Sequence, residues 1–304
     1  MRSIGDFHLH STHSDGRLTP HELAALVHRN GVRYMALTDH DTVAGVAEMR
    51  DALTAYPEIT LIPGVELSVD MGVEVHILGY WVDEHDPAFL QQMERFQDGR
   101  LGRGQEMVRR LHNLGMDVSW DRVLEIAGDA SVGRPHVALA LMEKGYVTSV
   151  NEAFDRYLAN GGPAYVAREK LTPEDAIVMI HAAGGVAAVA HPQFIGLPKR
   201  TGADGSRPYR DEAYIAERDT ALRRLAQAGA IGMEVYYKNN APELVAELGS
   251  VAERLGLLPL GGSDYHALGR EDETPPGRIP LPDEAIPPFL ALGEGRPGSV
   301  PGRV

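Results

Sequence analysis

Short apolar segments alternate along the chain with segments of helical periodicity. The predicted strands are residues 4–9, 33–37, 59–67, 74–81, 186–190, 231–236 and 257–260. Alternating strands and helices are typical of an α/β fold with a largely parallel sheet. Because the turn-forming stretch Asp70-Met71-Gly72 separates the third and fourth predicted strands, we expect a hairpin there. The pattern therefore predicts an irregular barrel rather than a regular eightfold β/α barrel.

The helical segments begin with capping residues, and their pattern changes in the middle of the chain. The stretch Thr19-Pro20-His21-Glu22 predicts a helix start with a capping box. From about residue 87 to residue 160, helical periodicity dominates and no strand is predicted. We expect residues 96–164 to form a small helical insertion over the barrel mouth, between barrel parts at 1–95 and 165–304. An outer helical layer of the barrel is the alternative interpretation.

Side chains of the types that bind metal ions follow several of the predicted strands. His8 and His10 are two residues apart on the first strand, so both should point to one face while Phe7 and Leu9 pack behind them. Chance placement of histidines on a polar strand face is the alternative interpretation. Since active sites of parallel barrels form at the carboxyl ends of the strands, we expect the candidate ligands to converge there. They are His8, His10, Asp15, His40, Glu66, His76, His191, Asp264 and His266.

Length and composition limit the class of protein. The chain has 304 residues, of which 43% are hydrophobic and 24% charged, enough for one large α/β domain with an insertion. It contains no cysteine, which excludes disulfides and thiolate metal sites. No apolar run approaches the roughly 18 residues that a membrane span needs, and a first strand beginning at residue 4 leaves no room for a signal peptide. We therefore expect a cytoplasmic location.

The charge of the chain narrows the range of partners. A formal net charge of −14 argues against a long basic track for duplex DNA or extended RNA. It does not argue against a small anionic substrate, because bound divalent ions would make a pocket locally positive. We therefore expect a small phosphorylated substrate, with neither duplex DNA nor a membrane as a partner.

A set of short motifs spans most of the chain: His8-x-His10, Asp15, Thr38-Asp39-His40, Gly64-Val65-Glu66, His76, Ala190-His191-Pro192 and Ser263-Asp264-x-His266. Together they resemble the motifs of the PHP (polymerase and histidinol phosphatase) family of metal-dependent phosphoesterases. The segment Gly133-Arg134-Pro135-His136 is similar to the insertion of the TrpH-like subgroup, which includes RNase AM and nucleoside 3',5'-bisphosphate phosphatases. The resemblance implies a distorted, TIM-like β/α barrel of the PHP type with a small helical insertion domain.

Six histidines and three carboxylates exceed what a single ion needs, so two or three divalent ions are expected. The resemblance implies three groups of ligands: His8, His10, Glu66 and Asp264; Glu66, His76 and His191; Asp15, His40 and His266. Asp15, which stands where some relatives have histidine, is a hard ligand that favours Mn²⁺, with Zn²⁺, Fe²⁺ and Mg²⁺ as alternatives. Glu66, Asp264 and His191 are the candidate catalytic residues.

The resemblance also implies a reaction. Ions about 3.5–4 Å apart can lower the pKa of a bridging water and stabilise the leaving oxygen in phosphate-ester cleavage. We expect a metal-bridging hydroxide to attack the 3'-phosphate of nucleoside 3',5'-bisphosphates such as 3',5'-bisphosphoadenosine. A 5'-to-3' exoribonuclease acting on short 5'-phosphorylated RNA is the alternative. Arg134, His136, Arg168 and Lys170 are candidates for binding phosphate, with ordinary surface positions as the alternative.

Overall fold

In the part of the chain that the structure describes, seven strands form one sheet in the order in which they occur along the chain. The computed structural model describes residues 2–72, 74–128, 132–159, 161–166, 171–195, 212–269 and 273–297. The strands are β1 (Gly5–Leu9), β2 (Tyr34–Leu37), β3 (Thr60–Asp70), β4 (Glu74–Tyr80), β5 (Val186–Val189), β6 (Gly232–Tyr237) and β7 (Leu258–Gly262). Each predicted strand is therefore present, with ends that differ from the prediction by at most three residues.

The sheet combines parallel and antiparallel pairs. Strands β1, β2 and β3 are parallel, as are β5, β6 and β7, whereas β4 pairs antiparallel with β3 and with β5. The predicted hairpin therefore links β3 to β4. Strands β1 and β7 approach each other through a parallel bridge between Leu9 and Tyr265. The sheet is thus a nearly closed, irregular barrel, which confirms the predicted fold class.

The junction of the first and last strands depends on a buried carboxylate and a glycine. Asp6 accepts hydrogen bonds from the amides of Ser263 (2.9 Å) and Gly277 (3.0 Å), and burial raises the pKa of Asp6 to about 6. A Cβ at Gly262 would lie 2.2 Å from the Cβ of His8. Only glycine therefore lets β7 approach β1 this closely.

Helices surround the barrel and follow the predicted caps. They are α1 (Pro20–Asn30), α2 (Gly45–Ala52), α3 (Pro87–Asn113), α4 (Trp120–Ala127), α5 (Arg134–Glu143), α6 (Val150–Ala153), α7 (Pro173–Ala182), α8 (Glu212–Gln227), α9 (Pro242–Leu255) and α10 (Ile286–Ala291). The capping box of Thr19 and Glu22 is present at the start of α1, and Gly31 ends that helix with a φ of 80°. None of the helices in the described ranges combines the length and apolar character needed to span a membrane.

Three hydrophobic clusters hold these elements together. One lies between the sheet and helices α1, α2, α7, α8 and α9. The second joins strand side chains such as Phe7 and Tyr80 to Phe289 of α10, whose ring centroid is 4.5 Å from that of Phe7. The buried residues of the third all lie between Met107 and Ala164. Within described residues 87–128, 132–159 and 161–166 there is no strand, as predicted; the division of the chain at 96–164 and its place over the barrel mouth stay predictions.

Candidate metal centre

Glu66, a fully buried residue of β3, lies at the middle of a cluster of histidines. Its two carboxylate oxygens face different groups of imidazoles. Oε2 lies 3.1 Å from His8 Nε2, 3.2 Å from His10 Nε2 and 3.1 Å from His40 Nδ1, and Oε1 lies 2.8 Å from His76 Nδ1 and 3.1 Å from His191 Nε2. One carboxylate thus contacts five of the six predicted histidines.

Two further carboxylates complete the cluster. Asp264 Oδ1 lies 3.4 Å from His8 Nε2 and 3.3 Å from His10 Nε2. Asp15 Oδ1 lies 3.1 Å from His266 Nε2 and 3.9 Å from His40 Nε2. All nine residues predicted as ligands therefore lie together, although they come from between residue 8 and residue 266 of the chain.

Within the described residues, three groups have ligand atoms close enough to share an ion. They are His8, His10, Glu66 and Asp264; His10, Asp15, His40 and His266; and His40, Glu66 and His76, with the ligand atoms of each group within 4.8 Å of one another. The first group is the predicted one, and the second is the predicted third group with His10 added. In the remaining group His40 stands where His191 was expected. The assignment of ligands to individual ions stays a prediction.

The buried atoms of the centre fit divalent cations. Five of them have no hydrogen-bond partner, namely His8 Nε2, His10 Nε2, Asp15 Oδ1, His40 Nδ1 and Glu66 Oε2. Buried polar atoms are almost always hydrogen-bonded, because an unpaired one loses the energy of its contact with water. Imidazole nitrogens and carboxylate oxygens that converge without protein partners are the donor set that Mn²⁺ and Zn²⁺ take.

Electrostatics within the centre stabilise charged groups despite complete burial. Burial raises the pKa of Glu66, but the neighbouring histidines together hold it well below its usual range. Burial lowers the pKa of His10, but the nearby carboxylates of Asp264 and Glu66 outweigh it and raise the value to about 9. For His40 the effect of burial outweighs the attraction of Glu66 and Asp15, and its pKa falls to about 3. A metal ion arriving at neutral pH would therefore displace a proton from His10 and meet a neutral imidazole at His40.

Irregularity in β1 sets the direction of the first two histidines. Phe7 and Leu9, which were both expected to pack behind His8 and His10, are both buried, but they belong to different hydrophobic clusters. Phe7 packs with α10, whereas Leu9 packs between the sheet and the helices, because the pairing of β1 with β2 shifts register between Asp6 and Leu9. The rings of His8 and His10 still converge, with centroids 5.0 Å apart.

A buried aspartate supports the loop that follows β1. Asp39 Oδ1 accepts hydrogen bonds from the Ser11 amide (2.7 Å) and the Ser14 hydroxyl (2.6 Å), and its Oδ2 accepts one from the Ser11 hydroxyl (2.7 Å). Ser14 also lies 3.4 Å from His10 Nδ1. These contacts fix the loop that carries His10 and Asp15.

Three residues near the ligands were not predicted from the sequence. Tyr237 donates a hydrogen bond of 2.6 Å from its hydroxyl to Asp264 Oδ2, and Lys238 donates one of 2.9 Å to the same oxygen. The positive charge of Lys238 is the foremost influence that opposes burial and keeps the pKa of Asp264 low. Glu234 accepts hydrogen bonds from His8 and from the His191 amide. In the sequence, Glu234 could have been recognised as a candidate because it is the single carboxylate inside the apolar strand 231–236.

The predicted phosphate-binding residues fall into two groups. Arg134 and His136 lie in the first turn of α5 and are both buried. The guanidinium carbon of Arg134 lies 5.3 Å from the centroid of the Phe154 ring, and His136 Nδ1 accepts a hydrogen bond of 3.0 Å from the Gly133 amide. Arg168 and Lys170 lie outside the described residues. The role of all four in binding phosphate stays a prediction.

Known proteins resemble this chain in sequence and in fold. The chain is 31% identical over 284 residues to a 3',5'-nucleoside bisphosphate phosphatase from Chromobacterium violaceum, covering 89% of this chain and 92% of that protein. It is 33% identical to the 5'-3' exoribonuclease Rnm of Escherichia coli, covering 90% of this chain and 91% of that protein. The crystal structure of a candidate metal-dependent phosphoesterase from Bifidobacterium adolescentis superposes with a TM-score of 0.79 at 29% identity, covering 95% and 96% of the two chains.

The family follows from the matched region together with these relatives. The PHP domain matches residues 6–160, which carry six of the nine candidate ligands. Two relatives with more than 30% identity match about nine-tenths of the chain. The barrel, the cluster of histidines and carboxylates and the sequence matches agree, and the chain belongs to the PHP domain family.

Proposed function

We propose that this phosphoesterase hydrolyses the 3'-phosphate of nucleoside 3',5'-bisphosphates, such as 3',5'-bisphosphoadenosine, to give the nucleoside 5'-monophosphate and phosphate. The observation that carries the proposal is the buried centre, in which five ligand-type atoms of His8, His10, Asp15, His40 and Glu66 converge without hydrogen-bond partners. The substrate class comes from the similarity to the nucleoside bisphosphate phosphatase, which extends over 89% of this chain.

The nine candidate ligands would hold two or three divalent ions, with Glu66 shared between ions because its two oxygens face different imidazoles. We propose Mn²⁺, since the carboxylate of Asp15 adds a hard oxygen ligand to a group of histidines. Bound ions of this kind polarise phosphoryl oxygens, lower the pKa of a coordinated water and stabilise the leaving oxygen. Tyr237 and Lys238 hold Oδ2 of Asp264, which directs Oδ1 towards His8 and His10.

The serines near the centre are not placed to act as nucleophiles. Ser11 and Ser14 are buried, and their hydroxyls donate hydrogen bonds to Asp39 beneath the loop. A serine nucleophile needs an exposed hydroxyl beside a general base. Water is therefore the nucleophile that the site supports.

The second phosphate of the proposed substrate requires an anchor away from the metal centre. Arg134 stands in the first turn of α5, and its guanidinium is held against the Phe154 ring. A helix start favours anions, and an arginine offers paired N–H donors to a phosphate. We propose that Arg134, with His136, Arg168 and Lys170, binds the 5'-phosphate and positions the 3'-phosphate over the ions.

The test compares three substrates under two metal conditions. Release of phosphate, or of nucleotide, is measured for 3',5'-bisphosphoadenosine, AMP and a 5'-phosphorylated dinucleotide, each with Mn²⁺ and with a chelator. The proposal expects metal-dependent release of one phosphate from the bisphosphate and little from AMP, which lacks a 3'-phosphate. Faster hydrolysis of AMP than of the bisphosphate would refute it.

An exoribonuclease activity is the second candidate, favoured by the 33% identity to the exoribonuclease Rnm. A 5'-phosphate anchor places the next phosphorus over the ions whether or not the chain continues as RNA. If the dinucleotide is cleaved at a higher kcat/KM than the bisphosphate, the exoribonuclease is the main function. The same three-substrate assay therefore distinguishes the two candidates.

A further inference from the structure

Glu234 connects two of the candidate ligands without belonging to any of the three ligand groups. It lies in the middle of β6 and is completely buried. Its Oε1 lies 3.0 Å from His8 Nδ1, and its Oε2 accepts a hydrogen bond of 2.6 Å from the backbone amide of His191. Each oxygen of this one carboxylate therefore contacts a different ligand residue.

The contact with His8 determines which ring nitrogen can bind a metal. A carboxylate only accepts hydrogen bonds, so the nitrogen that faces Glu234 must carry a proton. The other nitrogen, Nε2, lies 3.1 Å from Glu66 Oε2 and 3.4 Å from Asp264 Oδ1, inside the centre. With the proton on Nδ1, the lone pair of Nε2 is available to an ion.

The contact with His191 holds an unusual backbone conformation. His191 has a φ of 27° and a ψ of 60°, in the region that residues with a side chain rarely adopt. Such a conformation is strained and persists only where the surroundings impose it. The amide of His191 is tied to Glu234, and this backbone directs the ring so that Nε2 lies 3.1 Å from Glu66 Oε1.

The packing around Glu234 leaves little room for another arrangement. A Cβ at Gly262 of the neighbouring strand would lie 2.9 Å from Glu234 Oε1 and 2.2 Å from the Cβ of His8. The absence of a side chain at this residue is what lets the pair of Glu234 and His8 fit between β6 and β1.

From these contacts we propose that Glu234 is a positioning residue that prepares two metal ligands at once. Oε1 fixes the proton of His8 on Nδ1, and Oε2 fixes the backbone that aims His191. Glu234 acts through these residues and does not itself bind an ion. The inference concerns metal binding alone, so it can fail or hold independently of the substrate proposed above.

Glutamine is the informative replacement because it has the shape of glutamate but cannot make both contacts. If the amide oxygen of Glu234→Gln accepts from the His191 amide, the NH₂ group faces His8 and requires an unprotonated Nδ1, which moves the proton of His8 to Nε2. If the oxygen instead accepts from His8, two N–H groups face each other at His191. The first arrangement leaves His8 without a free lone pair on Nε2, and the second removes the hydrogen bond that holds the backbone of His191.

The first measurement is the affinity for Mn²⁺ without substrate, by calorimetric titration of the metal-free protein. We expect Glu234→Gln to bind at least one ion about 10- to 100-fold more weakly than the parent. Glu243→Gln is the matched control, because Glu243 is an exposed glutamate on the next helix and its replacement removes the same charge. Affinities of Glu234→Gln within about threefold of the parent at every site would refute the proposal.

A second measurement needs no variant at Glu234. Nitrogen NMR of protein labelled at histidine and loaded with Zn²⁺ reports which ring nitrogen carries a proton, and the signal of His8 is identified by its absence in His8→Asn. We expect a protonated Nδ1 in His8. A proton on Nε2 would overturn the proposal even if Glu234→Gln failed to fold.

Discussion

Replacing Glu66 with glutamine tests the middle of the centre. Glutamine keeps the shape of the side chain but removes its negative charge. It also turns one acceptor oxygen into an N–H donor, which would face either the imidazoles near Oε2 or those near Oε1. Donor atoms directed at imidazole lone pairs compete with a metal ion for those lone pairs.

The expected loss follows from the number of contacts that Glu66 makes. At an effective dielectric constant of about 20, unit charges about 4 Å apart interact by roughly 4 kcal/mol. Loss of that much transition-state stabilisation corresponds to a fall in kcat of about 10³-fold. Because Glu66 faces two groups of imidazoles and each ion would carry two charges, we take about 10³-fold as a minimum.

The assay measures kcat on 3',5'-bisphosphoadenosine at saturating Mn²⁺, together with metal content by elemental analysis. Glu48→Gln is the control, because Glu48 also lies between two histidines, 3.0 Å from His13 Nε2 and 3.3 Å from His21 Nδ1, but at the protein surface. The control should keep kcat within about twofold of the parent. A Glu66→Gln enzyme within about tenfold of the parent would refute the assignment of Glu66 as a shared ligand.

Three other predictions concern the ions, their competition with protons, and the phosphate anchor. Exhaustive chelation should abolish turnover, and elemental analysis should find more than one ion per chain; an active enzyme with a single ion would contradict this. Because the pKa of His10 is about 9 without metal, binding must displace its proton, so apparent Mn²⁺ affinity should fall as the pH is lowered from 8 to 6, whereas a pH-independent affinity would contradict the ligand role. Arg134→Ala should lower kcat/KM on the bisphosphate about 10²-fold, or about 2–3 kcal/mol, and leave an aryl phosphate almost unaffected. Arg122→Ala, at an exposed arginine of α4, is its control, and equal losses on both substrates would exclude Arg134 as the anchor.

The elements of the fold could be predicted because their signals are local. Thr19 and Glu22 fix the start of α1 through contacts within four residues, and Gly31 ends it through its own backbone freedom. The apolar residues of the strands likewise mark each strand without reference to its partners. The shift of register in β1 depends on how β1 meets β2, and for this reason the separation of Phe7 from Leu9 could not be predicted.

The candidate ligands could be predicted from chemical type and from their placement after strands, whereas their grouping could not. His40 approaches Glu66 through Nδ1 and Asp15 through Nε2, so its two nitrogens connect two groups. Which nitrogen points where depends on side-chain rotation in the folded protein. Lys238 and Glu234 act on Asp264 and His8, which are far from them in the chain, and no local pattern reports such contacts.

The closure of the barrel between β1 and β7 has a consequence for how the protein is made. Asp6 and Ser263, whose hydrogen bond joins the two strands, are 257 residues apart. During synthesis, His8 through His76 emerge first, and Asp264 and His266 emerge long after them. Contacts over such separations form slowly, because the entropy of closing the loop is lost before the contact is gained. Metal ions that bind once the ligands have come together would then stabilise the closed barrel late in folding. Their binding free energy would contribute to the free energy of folding.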